Sequence, residues 1–376
     1  MEMSAFGEEI KLVLKKSGSV LFGAATPVYK LFKNYDMSYS MYRNEPDVHS
    51  EKETFEDIVQ SASMTFVTQP NGSRTIHSGS IGSENLFIIP IPQSRKYQFY
   101  KFNSYDNYYY THNDNKYQTS YAHKSPITKY PYLSNNNFYT YYQQMNTIPD
   151  TIYPEILIII DYELLVNIGE DKIIIYLIQF WNQVDLLFRT LSNPQYKLNI
   201  AGIVIPMEPD TLQYLTDGSF SSYGRNNVDL HIALRSFKKW IYQQRYVIPI
   251  DSYDLAITMT SKVTNGNRYG FSYGEVIGRA LSSSACAVDH FQQQVLKAGI
   301  IATNGDFQDV LTAAHEIGHI LGATHDDAEC PNSAGYIMSS AVIPGTYSTQ
   351  WSQCSLRDFT NFLRTNPTCL YNKPKT

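Results

Sequence analysis

Residues 315–326 read HEIGHILGATHD, and their residue types and spacing suit the chemistry of a metal ion. His315 and His319 are four positions apart, so on a helix they lie on one face, one turn above the other. Two imidazoles at that spacing can hold one Zn²⁺. Glu316, next along the chain, can reach a water at the metal and take its proton.

A third histidine follows a glycine in the same stretch. Gly322 accepts positive φ at little cost, so the chain can leave the helix sharply there and bring back His325 as a third ligand. Three protein nitrogens leave a fourth position open, which indicates a catalytic rather than a structural zinc site. The alternative, core histidines on an apolar helix, is disfavoured because six of twelve positions fit the motif.

A lone methionine, Met338, lies thirteen residues after His325 in the turn-like segment 335–339. With this feature the sequence resembles the metzincin metalloproteases, in which a Met-turn lies under the three histidines. The resemblance implies a zinc endopeptidase in which Glu316 is the general acid and base.

The chain after residue 150 alternates between strand and helix patterns, which predicts an α/β domain over residues 150–376. The patterns predict strands at 155–160, 198–205, 253–260, 276–282 and 291–301, and helices at 171–191, 227–246, 309–321 and 355–364. Asp309 is a candidate N-cap of the helix that carries the histidines.

Within the metzincins, this domain resembles the adamalysin (reprolysin) branch. Aspartate follows the third histidine, as Asp326, and residues 351–355 (WSQCS) and 366–374 (NPTCLYNKP) are similar to the end of that domain. The resemblance implies a zincin fold of the α/β (α+β) type, with a five-stranded mixed sheet, helices and a zinc cleft. It also implies that residues 278–281 form the edge strand that pairs with substrate, and that residues 341–344 wall the specificity pocket.

Residues 1–96 predict a small β-rich domain, with strand-like pieces at 11–14, 63–67, 74–78 and 86–91. The turn at Pro70, Asn71 and Gly72 indicates a hairpin. Residues 12–22 and 81–90 resemble the prodomains of tick-saliva and scorpion-venom members, which implies a toxin-like zymogen. No cysteine precedes Cys286, so inhibition by a prodomain cysteine is excluded, and no R-x-x-R processing site is found.

Residues 97–149 predict a linker, because 13 tyrosines fall between Tyr97 and Tyr142 among Asn, Ser and Gln, with almost no aliphatic residues. A poorly ordered connector is one interpretation, and an adhesive or substrate-contacting arm is the other. The pair Arg95–Lys96 or the linker itself is the expected site of activating cleavage.

The four cysteines all lie in the last quarter of the chain, and none has C-x-x-C spacing. Two disulfides around the metal motif would suit a secreted enzyme, whereas four reduced thiols would suit a cytosolic one. The adamalysin resemblance implies the pairs Cys330–Cys354 and Cys286–Cys369. The sequon at Asn71 is a candidate glycosylation site, compatible with secretion.

The same resemblance implies a structural Ca²⁺ in addition to the one catalytic Zn²⁺. Its candidate ligands are Glu155, Asp254, Asn372 and the carbonyl of Cys369, which together offer oxygens to a hard cation. The alternative is that Glu155 and Asp254 are strand-end residues that pair with Lys373 or with water.

The composition of the chain bears on nucleic-acid binding, membrane insertion and secretion. Charged residues make up 17% and the net charge is −5, so nothing indicates nucleic-acid binding. No apolar run approaches the roughly 18–20 residues of a membrane span. The first residues lack a signal-peptide pattern, so the protein is either cytosolic or lacks its true N-terminus here, and the cysteines favour the second.

The sequence therefore predicts a secreted zinc endopeptidase that acts on protein or peptide substrates as a monomer. The alternative from another class is a catalytically weak binding protein on a metzincin scaffold. A replaced glutamate or histidine would indicate that loss, and His315, Glu316, His319 and His325 are all present.

Overall fold

The fold is taken from a computed structural model of the chain. It describes residues 1–16, 21–22, 26–34, 39–44, 52–57, 59–60, 62–68, 71–81, 86–90, 97–101, 148–222, 225–268, 271–273, 277–303, 305, 307, 309–341 and 347–374. Within these ranges, no helix combines the length and the apolar character needed to cross a bilayer.

The described strands in chain order are β1 (Glu2–Ala5), β2 (Glu8–Lys11), β3 (Lys15–Lys16), β4 (Val28–Lys33), β5 (Tyr39–Asn44), β6 (Lys52–Asp57), β7 (Ala62–Thr68), β8 (Arg74–Ile81), β9 (Leu86–Pro90), β10 (Tyr97–Lys101), β11 (Thr151–Ile152), β12 (Glu155–Ile160), β13 (Gln195–Tyr196), β14 (Asn199–Pro206), β15 (Ser219–Ser222), β16 (Arg225–Asp229), β17 (Leu255–Thr260), β18 (Val263–Arg268), β19 (Phe271–Tyr273), β20 (Gly278–Ala280), β21 (Val288–Asp289), β22 (Gln294–Val295) and β23 (Ala298–Ala302).

The described α-helices are α1 (Tyr162–Ile168), α2 (Ile173–Phe188), α3 (Gln213–Asp217), α4 (Leu230–Gln243), α5 (Val310–Ile320) and α6 (Gln353–Leu363). Short 3₁₀ turns lie at Gln244–Tyr246, Ile250–Ser252, Asn332–Ala334 and Thr368–Tyr371.

The main sheet has the strand order β20-β23-β17-β12-β14-β4-β5. β12 lies in its middle and pairs in parallel with both β14 and β17. Its sequence EILIII is apolar after its first residue, Glu155, because both faces of the strand are covered, as is usual for a parallel strand. β20 is antiparallel to β23 and forms one edge of the sheet.

Helices cover both faces of this sheet and define two apolar cores. On one face α2 packs beside α5, and α5 also contacts β20 and β23. On the other face α4 packs against the sheet, with Phe237 and Trp240 among its buried side chains. The helix that carries His315 and His319 is therefore held between α2 and the edge of the sheet.

The main sheet has seven strands rather than the predicted five. The two additional strands are β4 and β5, from the N-terminal part of the chain. β4 pairs in parallel with β14, and β5 pairs with β4 as an antiparallel hairpin. Residues 28–44 therefore extend the sheet of the C-terminal half at the edge opposite β20.

Six other described strands of the N-terminal part form a second sheet, with the order β10-β9-β8-β7-β6-β3, while β1 and β2 pair with each other in a separate two-stranded sheet. Its buried side chains include Ala62, Met64, Ile81 and Ile88. β7 and β8 contact α2, so this sheet packs on the outside of the helix that neighbours α5.

Strand β10 falls inside the range predicted as linker, because Tyr97–Lys101 pairs with β9. The remainder of the tyrosine-rich segment, residues 102–147, and the pair Arg95–Lys96 lie outside the described residues.

Several predicted elements need correction. Residues 12–14 connect β2 to β3 and are not in a strand. The N–H of Leu12 donates to the carbonyl of Met1. Residues 227–246 begin as strand β16, and α4 starts only after Asp229, whose carboxylate caps it. Residues 291–301 contain two short strands, β22 and β23, rather than one.

Candidate metal centre

Helix α5 carries the first two histidines and the glutamate of the motif. Its apolar side chains, among them Ile317 and Ile320, lie in the core on the α2 side of the sheet. His315, Glu316 and His319 are themselves buried, each at most 2% exposed. Burial of three polar side chains on one helix is costly unless they bind something, so their arrangement indicates a function.

The chain turns away from α5 at Gly322, as the sequence predicts. Gly322 has φ of +110°, a conformation that side chains rarely adopt. After this turn His325 faces the other two histidines: its Nε2 lies 3.1 Å from Nε2 of His315 and 3.2 Å from Nε2 of His319. Two nitrogens bound at about 2.0–2.1 Å to a tetrahedral zinc lie roughly 3.4 Å apart, so the three imidazoles fit that ion.

The other ring nitrogens of the helical histidines face backbone carbonyls. Nδ1 of His315 lies 2.7 Å from the carbonyl of Ile337, and Nδ1 of His319 lies 2.8 Å from the carbonyl of Ala323. An Nδ1 that donates to a carbonyl leaves Nε2 as the lone-pair nitrogen, which is the form that binds a metal. The backbone of residues 323 and 337 thus orients both rings.

Met338 lies under this cluster and is fully buried. A Cβ added to Gly318 would lie 2.7 Å from Sδ of Met338 and 3.1 Å from the ring of Trp351. Gly318 therefore allows the methionine and the tryptophan to approach the middle of α5. The sequence gives no local signal for this role of Gly318, because the contact joins distant segments.

Asp326 joins the histidine turn to the methionine segment and to α6. Its N–H donates to the carbonyl of Met338 at 2.9 Å, and its carboxylate accepts a 2.5 Å hydrogen bond from Ser352, the N-cap of α6. The Asp326 side chain is buried, which raises its pKa. Ser352 was missed by sequence reasoning, since a serine that begins a helix usually serves only as a cap.

Glu316 lies beside the edge strand β20. A Cβ added to Gly278 would lie 2.8 Å from both Cγ and Cδ of Glu316, and closer still to Oε1. Only glycine at position 278 leaves space for the glutamate in its present place. Sequence reasoning predicted β20 as a substrate strand but found no role for Gly278, because the signal is a contact between distant segments.

The four cysteines form the two disulfides that the resemblance implied, Cys286–Cys369 and Cys330–Cys354. The first joins the loop after β20 to the C-terminal 3₁₀ turn. The second joins the segment after His325 to the start of α6. Both bridges therefore fasten segments that lead into or out of the histidine cluster.

Three of the four candidate calcium ligands lie close together at the start of β12. The N–H of Glu155 donates to Oδ2 of Asp254 at 3.0 Å, and Nδ2 of Asn372 lies 2.7 Å from Oε2 of Glu155. The fourth candidate, Cys369, is linked to this cluster by its disulfide with Cys286. The N–H of Cys286 donates to the carbonyl of Asp254 at 3.2 Å.

A buried lysine lies near these carboxylates. The ammonium of Lys297 donates to the carbonyl of Ile250 at 2.9 Å and to the carbonyl of Tyr253. Burial raises the pKa of Asp254 to about 7 and lowers the pKa of Lys297 to about 8, while the opposite charges of the two groups oppose both shifts. Sequence reasoning did not include Lys297 in this cluster.

Two further predicted positions can be placed. Asn71 is exposed in the turn between β7 and β8, where its Oδ1 accepts hydrogen bonds from the N–H and the hydroxyl of Ser73. Of the predicted pocket wall, Ala341 is described, whereas residues 342–344 lie outside the described part of the chain.

The fold and the site together define a class of protein: an α/β domain whose helix and following turn offer three converging imidazoles and a buried glutamate. Comparison with protein families gives the particular family. Residues 154–352 match the profile Reprolysin_5, Metallo-peptidase family M12, and the chain belongs to this family. The family implies zinc, and the group that fits it among the described residues is His315, His319 and His325.

Named relatives agree with this assignment. The chain is 27% identical over 434 aligned positions to "A disintegrin and metalloproteinase with thrombospondin motifs like" from Bombyx mori, covering 100% of this chain and 61% of that protein. It is 28% identical over 216 positions to "Venom metalloproteinase 2" of Eulophus pennicornis, covering 56% of this chain and 48% of that protein. The chain thus spans between about half and three fifths of these relatives' lengths.

Proposed function

We propose that this protein is a zinc-dependent endopeptidase that hydrolyses peptide bonds of protein substrates. The observation that carries the proposal is that the Nε2 atoms of His315 and His319 both lie within 3.2 Å of Nε2 of His325, with Glu316 buried on the same helix α5. Membership of metallopeptidase family M12 supports the same reaction class.

In this proposal His315, His319 and His325 hold one zinc ion, and their Nδ1 contacts keep the rings in place. Zinc, when bound, supplies a Lewis acid that polarises the scissile carbonyl and lowers the pKa of water toward about 7. Glu316 takes a proton from the attacking water and then delivers it to the leaving amine. The burial of Glu316 excludes bulk water from this transfer.

We further propose that substrate binds as an added strand along β20. In the order of the described strands, β20 stands at one end of the main sheet, next to β23. An edge strand offers backbone N–H and C=O groups to an extended peptide. Because Gly278 on β20 lies beside Glu316, a peptide on this edge would place its backbone close to the glutamate.

One assay separates this function from its rival, a binding protein on the same scaffold that has lost catalysis. The zinc-loaded protein is incubated with unfolded casein, with and without a chelator. We expect hydrolysis that the chelator abolishes and that added zinc restores. Absence of hydrolysis in protein that carries one zinc per chain would instead support the binding protein.

Calcium is a separate proposal. If Glu155, Asp254, Asn372 and the Cys369 carbonyl bind Ca²⁺, the ion would fasten the C-terminus to β12, and Tm of zinc-saturated protein would rise with added Ca²⁺. The ammonium of Lys297 next to Asp254 acts against such binding by repulsion. No change in Tm, in the wild type or in Asp254→Asn, would exclude the site.

Secretion and maturation complete the proposal. The two disulfides and the venom metalloproteinase relatives support an extracellular protein, and residues 1–101 are proposed as a prodomain ahead of the protease domain. The latency predicted from the sequence is tested by comparing the intact chain with one that begins near Thr147. Equal activity of the two would show that the N-terminal part does not inhibit.

A further inference from the structure

The open edge of β14 is filled by a strand from the N-terminal part of the chain. Val28 to Leu31 lie in register with Ile203 to Pro206. Backbone hydrogen bonds flank this paired segment. The N–H of Ile203 donates to the carbonyl of Pro27 at 3.0 Å, and the N–H of Met207 donates to the carbonyl of Leu31 at 2.9 Å. Without β4, these backbone groups of the protease sheet would lose their partners.

Side chains of the same strand contribute to both cores of the protease domain. Val28 belongs to the core shared with α2 and α5, whereas Tyr29 and Leu31 belong to the core on the α4 side. All three are at most 5% exposed. Removal of β4 would therefore expose apolar surface on both faces of the sheet at once.

Polar side chains hold the second N-terminal sheet on α2. Nε2 of Gln179 donates to the hydroxyls of Thr65 and Ser78, at 2.9 Å each. One turn further along α2, Nε2 of Gln183 donates to the hydroxyl of Ser80 at 2.6 Å. These two glutamines lie on the side of α2 that contacts the N-terminal sheet. Without that sheet they would be exposed to solvent.

An ion pair lies at the end of the same contact. The guanidinium of Arg189 lies 2.6 Å from Glu56 on β6 and 2.7 Å from Asp185 on α2. The three side chains are between 1% and 11% exposed. Separation of the two parts would break the contact between Arg189 and Glu56, whereas the contact between Arg189 and Asp185 lies within one part.

We propose that the N-terminal fragment, which carries strands β1 to β10, remains bound to the protease as a non-covalent subunit after the chain between Lys101 and Ile148 is cut. The surface that binds this fragment consists of the β14 edge and the outer face of α2. The inference rests on the proposed function only because cleavage in that segment is the proposed activation step.

The test uses the full chain with Glu316→Ala, so that no self-digestion occurs, and with a recognition sequence for a site-specific protease inserted within residues 110–140. After complete cutting, the mass is measured by size exclusion with light scattering. We expect one particle with a mass close to the 43.0 kDa of the intact chain. Two separate fragments would overturn the proposal. Since mass is the readout, this outcome is independent of whether the protein is a protease.

Variants assign the binding to the stated surface. Leu31→Asp and Glu56→Gln are compared with the control Val59→Asp, whose side chain is 89% exposed. After cutting, the first two should dissociate at protein concentrations at least about tenfold higher than the wild type, since Leu31→Asp buries a charge in an apolar core and Glu56→Gln replaces an ion pair between the two parts by a neutral contact. The control should behave as wild type. If Leu31→Asp does not fold, Glu56→Gln decides alone, and wild-type behaviour of Glu56→Gln would overturn the assignment.

Discussion

At the scale of single residues, the packing around Glu316 and the histidines depends on two glycines that lack a side chain. Gly278 leaves room for the carboxylate beside β20, and Gly318 leaves room for Met338 under the histidines. Neither glycine has a positive φ, so their value lies in close packing rather than in backbone freedom. The proposed general base thus packs against Gly278, and α5 packs against Met338 at Gly318, in two contacts that a larger residue would disturb.

Gly278→Ala should lower kcat by roughly 10²-fold while zinc content stays at one per chain. The added methyl group displaces the Glu316 carboxylate, and a misplacement of about 1 Å costs about that factor. KM and kcat are measured on a peptide substrate, with zinc by atomic absorption. Ala280→Gly, on the same strand, is the matched control and should keep most activity. Unchanged kcat in Gly278→Ala would show that Glu316 does not need its present position.

At the scale of elements, the sequence predicts some parts well for a local physical reason. Strand β12 has the predicted bounds because its five consecutive apolar residues after Glu155 are typical of a buried parallel strand. Helix α5 lies within one residue of its predicted ends because its apolar residues repeat at helical spacing. The metal motif is itself local, so three histidines within eleven positions could be read directly.

The hairpin of β4 and β5 could not be predicted in the same way. Its strand VYKLFK mixes apolar residues with lysines, and 175 positions separate Lys33 from Glu208, to which its N–H donates. Gly278 and Ser352 were missed for a similar reason, because their contacts with Glu316 and Asp326 join distant segments. The sequence does not connect Lys297 with Asp254. The two residues precede β23 and β17, and these strands become neighbours only in the folded sheet.

Asp161, which follows β12 and caps α1, should make stability depend on pH. Burial raises its pKa to about 6 from an ordinary value of 3.8, although hydrogen bonds from Thr260, Leu164 and Ser261 oppose the shift. A raised carboxyl pKa means that folding favours the protonated form. The group therefore has no effect below about pH 3.8, and it destabilises progressively until about pH 6.

Asp161→Asn removes this titration and should gain stability relative to the wild type as pH rises from about 4 to 6. A shift of about two pH units corresponds to a change on the order of 3 kcal/mol in the difference between the two proteins. Urea unfolding of both at several pH values measures it. A difference that stays constant with pH, or falls as pH rises, would contradict the assigned pKa.

At the scale of the whole molecule, the two disulfides should contribute unequally to stability. Cys286–Cys369 closes a sequence separation of 83 residues, and Cys330–Cys354 closes one of 24. Chain entropy gives about 4.5 and 3.5 kcal/mol respectively. Replacing Cys286 and Cys369 together by serine should therefore lower the free energy of unfolding more than the same change at Cys330 and Cys354. The reverse order, or four free thiols in the isolated protein, would refute this.

The molecule as a whole places the proposed catalytic centre at the β20 end of the main sheet. At the other end, β4 and β5 extend the described sheet beyond β14. The C-terminal segments are fastened to this sheet by Cys286–Cys369 and by the contact between Asn372 and Glu155. Such an arrangement keeps the histidine cluster rigid, as a preorganised metal site requires.

The central claim is that Glu316 performs proton transfer at a zinc held by the three histidines. Its most direct test is to measure zinc content and casein hydrolysis in parallel for the wild type and Glu316→Ala. We expect one zinc per chain in both proteins, and hydrolysis that is lower by about 10²–10⁴-fold in the variant, the usual contribution of a general acid–base. Wild-type activity in zinc-loaded Glu316→Ala would contradict the account.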